Sequence, residues 1–467
     1  MRIRKPFLVS LFVPLLFAGL APASAAQDAK QLAQIDAQAQ ALLDSELAVG
    51  FSVGVVQDGK RWTRGYGRVA PGAVGAPDRD TIYEIGSITK VFTGILLADT
   101  IGRGLVASDD PVRKFLPAGV EFPVFEKQHI RLLDLTTHAS GLPRMPPDFA
   151  PADPTNPFAD YDEAKLLASL GKVQLARAPA AEYEYSNLAV GLLGFVLTKV
   201  TKSTDYEALV VERVLAPMGM ENTRAHLTDA MRARLAPPVD AGGRERANWD
   251  LDALAGAGAL RSSVADMLTF AARNLEPGDD ALGAALRLAQ QTHREAPGSP
   301  TLGFGWHKSD GGKTLWHNGG TGGYHAFLAL DPARRIGVVV LANTTAGEID
   351  AFGSGILKVM RGETAEPPQV RKAVAVERAV LARYVGRYEL APGIEIEVTL
   401  EGARLFAQLT GQDSYQIYPA SETRFFWRVA PAEASFEVVD GKVVALTLHQ
   451  GGIDQRAERI DAGPVDR

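Results

Sequence analysis

The hydrophobic rhythm changes near Gly362, and that break limits the fold more than any single motif does. From about Leu32 to Gly362, helical and strand-like patterns are mixed. Beyond Ala375, short apolar runs recur at a period of two, as in Ile394, Ile396, Val398 and Leu400 alternating with Glu395, Glu397 and Thr399; such alternation presents one apolar sheet face. Gly362 to Ala375, with Pro367-Pro368 and mixed charge, reads as a linker. At about 100 to 200 residues per domain, 467 residues accommodate two modules.

Within the first module, Phe51 to Val56 and Arg61 to Tyr66 flank Asp58-Gly59, a hairpin signal. Ser203 to Leu215 has apolar residues at helical spacing. Ser263 to Asp266 is a capping box ahead of Met267 to Asn274. Strand patterns return at Leu302 to His307, Thr314 to His317, Ala326 to Leu330 and Ile336 to Leu341, followed by a helix over Glu348 to Arg361. Early and late strands around a helical middle predict an α/β (α+β) module with one sheet assembled from both ends of the segment and helices on its faces. Pro143 to Phe158 carries so many prolines that it is neither helix nor central strand, but an ordered loop or lid. In the second module, Arg404 to Leu409, Gln416 to Pro419, Phe425 to Val429, Ser435 to Val439 and Val443 to His449 complete a small antiparallel β-barrel.

Composition narrows the function. A formal net charge of -6 supplies no footprint for nucleic acid. The absence of cysteine removes disulfides, thiolate nucleophiles and cysteine-held metals. The histidines show no metal-binding spacing, so neither metal nor cofactor is implied. Arg2, Arg4 and Lys5 ahead of the apolar run Phe7 to Leu20, then Ala23-Ser24-Ala25, form a secretory signal over residues 1–25. That run is too short to span a bilayer; the expectation is a periplasmic or secreted protein without a membrane span after processing.

Ser87-Ile88-Thr89-Lys90 leads into the helix-spaced run Val91 to Ile101. Residues three apart on a helix share a face, which brings a hydroxyl within reach of an amine. A serine at a helix start also gains from the positive end of the dipole, and a desolvated lysine can lose its proton and act as base. Ser169 to Lys172 repeats the spacing but ends a helical pattern, so it is assigned to a helix C-terminus. Tyr185 and Asn187, two apart ahead of the apolar run Leu188 to Leu197, could both face a cleft. His317, Gly319 and Gly320 lie in a glycine-rich stretch between strands, where backbone or ligand can approach closely.

In order and separation, these three pieces resemble the serine penicillin-recognising enzymes. The resemblance is to the branch shared by class C β-lactamases, low-molecular-weight D-alanyl-D-alanine carboxypeptidases, D-aminopeptidases and esterases resembling β-lactamases. Asp134 to Pro143 is similar to the segment joining the first two motifs. The resemblance covers about Leu32 to Gly362 and implies a cleft between a mostly antiparallel sheet and a helical region. It implies that Ser87 is the acylating nucleophile, Lys90 its activating partner, Tyr185 general base or proton shuttle, and Asn187 the residue orienting the substrate amide. His317 stands where class C β-lactamases usually carry lysine, and the N–H groups of Ser87 and Gly320 form the oxyanion hole. An imidazole there is expected to titrate near neutrality, while His138 is expected to be structural. The tail resembles a lipocalin-like barrel. The resulting expectation is a signal peptide over 1–25, a catalytic domain over 26–362, a linker over 363–375 and a barrel over 376–467. The enzyme is an exported serine hydrolase, first of all for D-Ala-D-Ala peptides of peptidoglycan. β-Lactam hydrolysis, ester hydrolysis and a non-hydrolytic penicillin-binding sensor are the alternatives.

Overall fold

The computed structural model describes residues 23–240, 243–366, 373–410, 414–428, 432–450 and 453–460. The proposed export signal falls largely on residues 1–22, outside the described residues, as do residues 367–372 of the linker. No helix among the described residues is long and apolar enough to cross a membrane.

The hairpin forms as its turn chemistry demands. Strands β1 (Gly50–Gln57) and β2 (Lys60–Gly67) are joined through Asp58 at φ 48° and Gly59 at φ 76°, the left-handed pair that matches strand twist. A short antiparallel ribbon follows, β3 (Ile82–Glu84) on β4 (Arg261–Ser263). The late strands are β5 (Thr301–Leu302), β6 (His307–Ser309), β7 (Thr314–Gly320), β8 (His325–Asp331) and β9 (Ile336–Ala342). They join the hairpin in the order β2-β1-β9-β8-β7-β6-β5, so the sheet does draw on both ends of the module. The run Leu302 to His307 is not one strand: Gly303 donates to the Trp306 carbonyl at 2.9 Å and Gly305 turns at φ 70°, which splits it into β5 and β6.

Both faces of the sheet are covered, so β9 is buried at every position. Val338, Val340 and Ala342 pack with Ile349, Phe352 and Ile356 of the helix Glu348–Met360 and with Ile35, Ala39 and Leu42 of the N-terminal helix. Val339 and Leu341 face the opposite core, with Val91, Phe92 and Ile95 of the helix Thr89–Gly102 and with Met267 and Phe270 of the helix Val264–Leu275. Ser263 caps that last helix by accepting from Asp266 N at 3.2 Å. The helix expected from Ser203 starts at Tyr206, because Asp205 caps it, and widens into a π turn over Val211–Leu215.

The C-terminal module is a closed antiparallel barrel of eight strands, from β10 (Gly386–Ala391) to β17 (Ile453–Arg459), which pair with each other. It meets the first module through Arg244, whose guanidinium donates to the Ser414 carbonyl at 2.9 Å and lies 4.3 Å from the Phe406 ring centroid. Arg428 reaches back to the Glu46 carbonyl at 3.1 Å.

The end of β7 packs closely against the turn that carries Ser87. A Cβ on Gly319 would lie 2.0 Å from the Ile85 carbonyl oxygen and 2.9 Å from Ser87 N, whereas one on Gly320 meets nothing nearer than His325 Nδ1 at 3.9 Å. Gly319→Ala is therefore expected to lower stability by about 1–3 kcal/mol, and Gly320→Ala to stay within about 0.5 kcal/mol. Urea denaturation of the two variants checks this; equal effects would contradict the packing.

Candidate active site

Three chain segments converge on one cleft. Glu84 leaves the ribbon, and Ile85 donates to the Leu260 carbonyl at 3.0 Å. A 3₁₀ turn over Gly86–Ile88 then places Ser87 directly ahead of the helix Thr89–Gly102. Gly86 sits at φ 47°, and its glycine identity serves a second purpose: a Cβ there would be 3.0 Å from the Gly320 nitrogen. From Thr81 to Lys90 every residue is buried except Ser87, which is partly exposed.

One helical turn on, the Lys90 amine lies 2.9 Å from Ser87 Oγ and donates to the Ala257 carbonyl at 2.6 Å. It is 0% exposed. Desolvation, aided by the nearby Arg144 charge, holds its pKa well below the ordinary lysine value. The second lysine with this spacing behaves otherwise: Ser169 ends the helix Glu163–Leu170, and Lys172 pairs with Asp148 at 2.7 Å.

Tyr185 lies beside Ser87, and its ring centroid is 4.9 Å from Lys90 Nζ. Burial pushes the phenol up to about 12, although the Ser87 hydrogen bond and Arg144 work in the opposite direction. The cap of the following helix, Asn187–Thr201, is Ser186 and not the asparagine: Ser186 Oγ accepts from Ala189 N at 2.9 Å and donates to the Pro143 carbonyl at 2.6 Å. Asn187 is thereby freed from capping. Its side-chain amide reaches Met145 Sδ at 3.5 Å, and its N–H bonds the Arg144 carbonyl at 2.9 Å.

His317 projects from β7 on the same face as Gly319, 6.5 Å from the Tyr185 ring and 5.0 Å from the His307 ring, centroid to centroid. It is 1% exposed. The structure departs here from a histidine titrating near neutrality: desolvation, with His307 and Lys90 close by, pushes its pKa well below the usual value. Nδ1 donates to the Asn318 carbonyl at 2.5 Å, and Nε2 has no partner among the described residues. On the outer face of the sheet Asp350 clamps the motif, accepting from Asn318 at 2.6 Å and from His325 at 2.8 Å.

Several participants carry no local mark in the sequence. His138 stacks on Tyr185 with centroids 4.3 Å apart, and its Nδ1 accepts from Ser186 N at 3.1 Å. That fits a structural role, but one that props the second motif directly. His307 shares a hydrogen bond with the Tyr183 hydroxyl at 3.3 Å. Arg144, exposed on the proline-rich loop, lies 5.2 Å from the Tyr185 centroid. Among the described residues, no cluster of three or more His, Asp or Glu side chains could hold a metal ion.

Fold and cleft together define a serine hydrolase of the β-lactamase type, and comparison with known proteins agrees. The family described as Beta-lactamase matches residues 35–354, and the chain belongs to it; residues 370–461 match the family described as Domain of unknown function (DUF3471). A penicillin-binding protein of Bacillus subtilis is 26% identical over 422 residues, 81% of this chain and 88% of that protein. The D-alanyl-D-alanine-carboxypeptidase/endopeptidase AmpH of Escherichia coli is 28% identical over 323 residues, 66% of this chain and 82% of its own. Among solved structures, a β-lactamase/D-alanine carboxypeptidase from Yersinia pestis matches with a TM-score of 0.62 at 26% identity, over 72% of this chain and 99% of that one. The octameric penicillin-binding protein homologue from Pyrococcus abyssi, at 21% identity and TM-score 0.62, shares the fold over 91% of this chain and all of its own.

The buried histidines have a consequence for stability. An unfolded histidine takes up a proton near pH 6.5, whereas burial holds His307 neutral down to about 4 and depresses His138 and His317 as well. Below pH 6.5 the unfolded chain therefore binds more protons than the folded one. Stability present above that pH is lost as pH falls, by about 1.4 kcal/mol per unit per histidine. Urea midpoints from pH 7 to 4.5 are expected to drop, and to drop less steeply in His307→Gln; parallel slopes would contradict neutral burial of this ring.

Proposed function

We propose that the protein is an exported D-Ala-D-Ala carboxypeptidase/endopeptidase-type hydrolase that works through an acyl-enzyme on Ser87. The observation that carries this reading is the desolvated Lys90 amine 2.9 Å from a partly exposed Ser87 hydroxyl. With its pKa held down, Lys90 has a lone pair to accept the Ser87 proton as Oγ forms its bond to the scissile carbonyl. The N–H groups of Ser87 and Gly320, on backbones packed against one another, receive the developing oxyanion.

Of the two roles open to Tyr185, the raised pKa favours the shuttle. A phenol near 12 remains protonated at neutral pH, beside Ser87. It donates its proton to the leaving amine as the C–N bond breaks and recovers one from Lys90. In the second half-reaction water attacks the ester, its proton passes to Lys90, and Ser87 Oγ departs with a proton. Asn187, released from capping by Ser186, orients the acyl side of the substrate. The peptide assignment is supported by the similarity to the E. coli carboxypeptidase/endopeptidase and by the export signal read from the sequence.

Intact mass after incubation with benzylpenicillin tests the reading. A persistent adduct that is absent from Ser87→Ala is expected; fast turnover of the drug would point to a β-lactamase instead, and no adduct or turnover would sink the serine mechanism. Lys90→Ala and Tyr185→Phe are each expected to slow acylation by about 10²–10⁴-fold. As pH falls, the wild-type rate declines when Lys90 takes up a proton, because its base form is then lost. A rate unchanged down to pH 4 would remove Lys90 as base.

A further inference from the structure

We propose that Arg144 is the carboxylate-recognising residue of this cleft, its guanidinium anchoring an anionic group on the departing half of an acyl substrate, such as the terminal carboxylate of a peptide. This deepens the assignment of Ser87 as nucleophile and rests on it.

The argument begins with what the third motif cannot do. His317 spends its Nδ1 hydrogen on the Asn318 carbonyl at 2.5 Å. In a neutral imidazole the other nitrogen is then an acceptor only, so Nε2 presents a lone pair, which repels a carboxylate. Protonation would reverse this, but His317 is sealed from water and lies beside His307 and Lys90. His307 and His138 are held neutral by the same burial, and the Lys90 amine is committed to Ser87 and Ala257. The inner cleft thus offers three imidazoles whose charge burial disfavours and an amine already engaged with Ser87 and Ala257.

Arg144 supplies the missing charge. No carboxylate pairs with it among the described residues, and the nearby acids are already engaged: Asp148 with Lys172 at 2.7 Å, Glu184 with Arg177. Its side chain is exposed, yet its backbone is fastened to the second motif. The Arg144 carbonyl accepts from Asn187 N at 2.9 Å and Leu188 N at 3.3 Å, and the preceding Pro143 carbonyl accepts from Ser186 Oγ. The guanidinium carbon lies 5.2 Å from the centroid of the same ring that has Lys90 Nζ at 4.9 Å and a hydroxyl on Ser87. A terminal carboxylate sits about one residue length, ~3.8 Å, beyond a scissile peptide carbonyl, so a charge one tyrosine ring away from the nucleophile is placed to meet it. A planar guanidinium suits a carboxylate through paired hydrogen bonds.

Binding separates this role from an electrostatic effect on Lys90. In the Ser87→Ala protein, calorimetric titration with N-acetyl-D-alanyl-D-alanine and with its C-terminal amide is expected to show the free acid binding about 10- to 100-fold more tightly. Arg144→Gln in that background should abolish the preference, and Arg144→Lys should retain part of it. If Arg144 acted only on Lys90, acylation rates would change and the acid-to-amide ratio would not. Equal binding of the two ligands, no binding of either, or a preference that survives Arg144→Gln would overturn the proposal. If Arg144→Gln fails to fold, the Arg144→Lys ratio and the salt dependence of the Ser87→Ala protein decide: the acid's affinity alone should fall as NaCl is raised. Failure of the nucleophile assignment is read separately, from penicillin acylation of the unsubstituted protein.

Discussion

The burial of Lys90 is the constraint on which the cleft depends. An ammonium removed from water needs a carboxylate partner or must give up its proton, and Lys90 is hydrogen-bonded to a hydroxyl and a backbone carbonyl instead. The core around the helix Thr89–Gly102, with Phe92 stacked on Phe270 at 4.3 Å and every residue from Thr89 to Thr100 buried, holds it there. Packing energy from a large apolar core therefore offsets the cost of burying the amine. The same displacement of water raises the Tyr185 phenol and depresses the three histidines. One act of desolvation thus lowers an amine and three imidazoles and raises a phenol.

Such an interior sorts charge by depth. Burial disfavours charge on the basic groups next to Ser87, and the permanent guanidinium cation stands outside them on the proline-rich loop. A cation placed inside would repel a protonated Lys90 more strongly still, since charges interact with less screening in the interior. Arg144 already contributes to lowering Lys90 from the rim, so its position reconciles a low lysine pKa with a positive entrance.

Much of this was legible wherever the signal was local. Asp58-Gly59 specifies a two-residue hairpin, Ser263 a helix start, and the spacing of Ser87 and Lys90 a shared helix face. Signals that depend on partners were not. Barrel strand β17 exposes nearly every side chain and buries only Ala457, so no apolar alternation announces it; β10, short and carrying Arg387 and Glu389 on its outer face, is equally silent. The turn between β5 and β6 was hidden because its apolar residues Phe304 and Trp306 extend the strand-like run while packing as core. For His317 the identity was readable and the depressed pKa was not, since the latter comes first of all from burial, and then from His307 and Lys90, which reach it from β6 and from a helix more than two hundred residues away in sequence. Arg144 differs from any loop arginine only by the ring beneath it.

One stretch of chain that binds the barrel also reaches the Ser87 turn. At one end, Arg244 binds the barrel and is itself oriented by Asp240, which accepts its backbone N–H at 3.0 Å and its Nε at 3.2 Å. Next to it, Val239 donates to the Gly323 carbonyl at 3.1 Å, just past the third motif. At the other end, Asn248 and the Trp249 N–H both bond Glu84 at 2.9 Å, three residues before Ser87. Glu84 is buried against Arg261 at 3.5 Å, with its pKa raised first of all by desolvation. Removing one partner of a buried pair is strongly destabilising, so the base of the Ser87 turn has few alternative arrangements. Contacts at the barrel, at the end of β7 and beneath the Ser87 turn thus link two of the three motifs to the barrel.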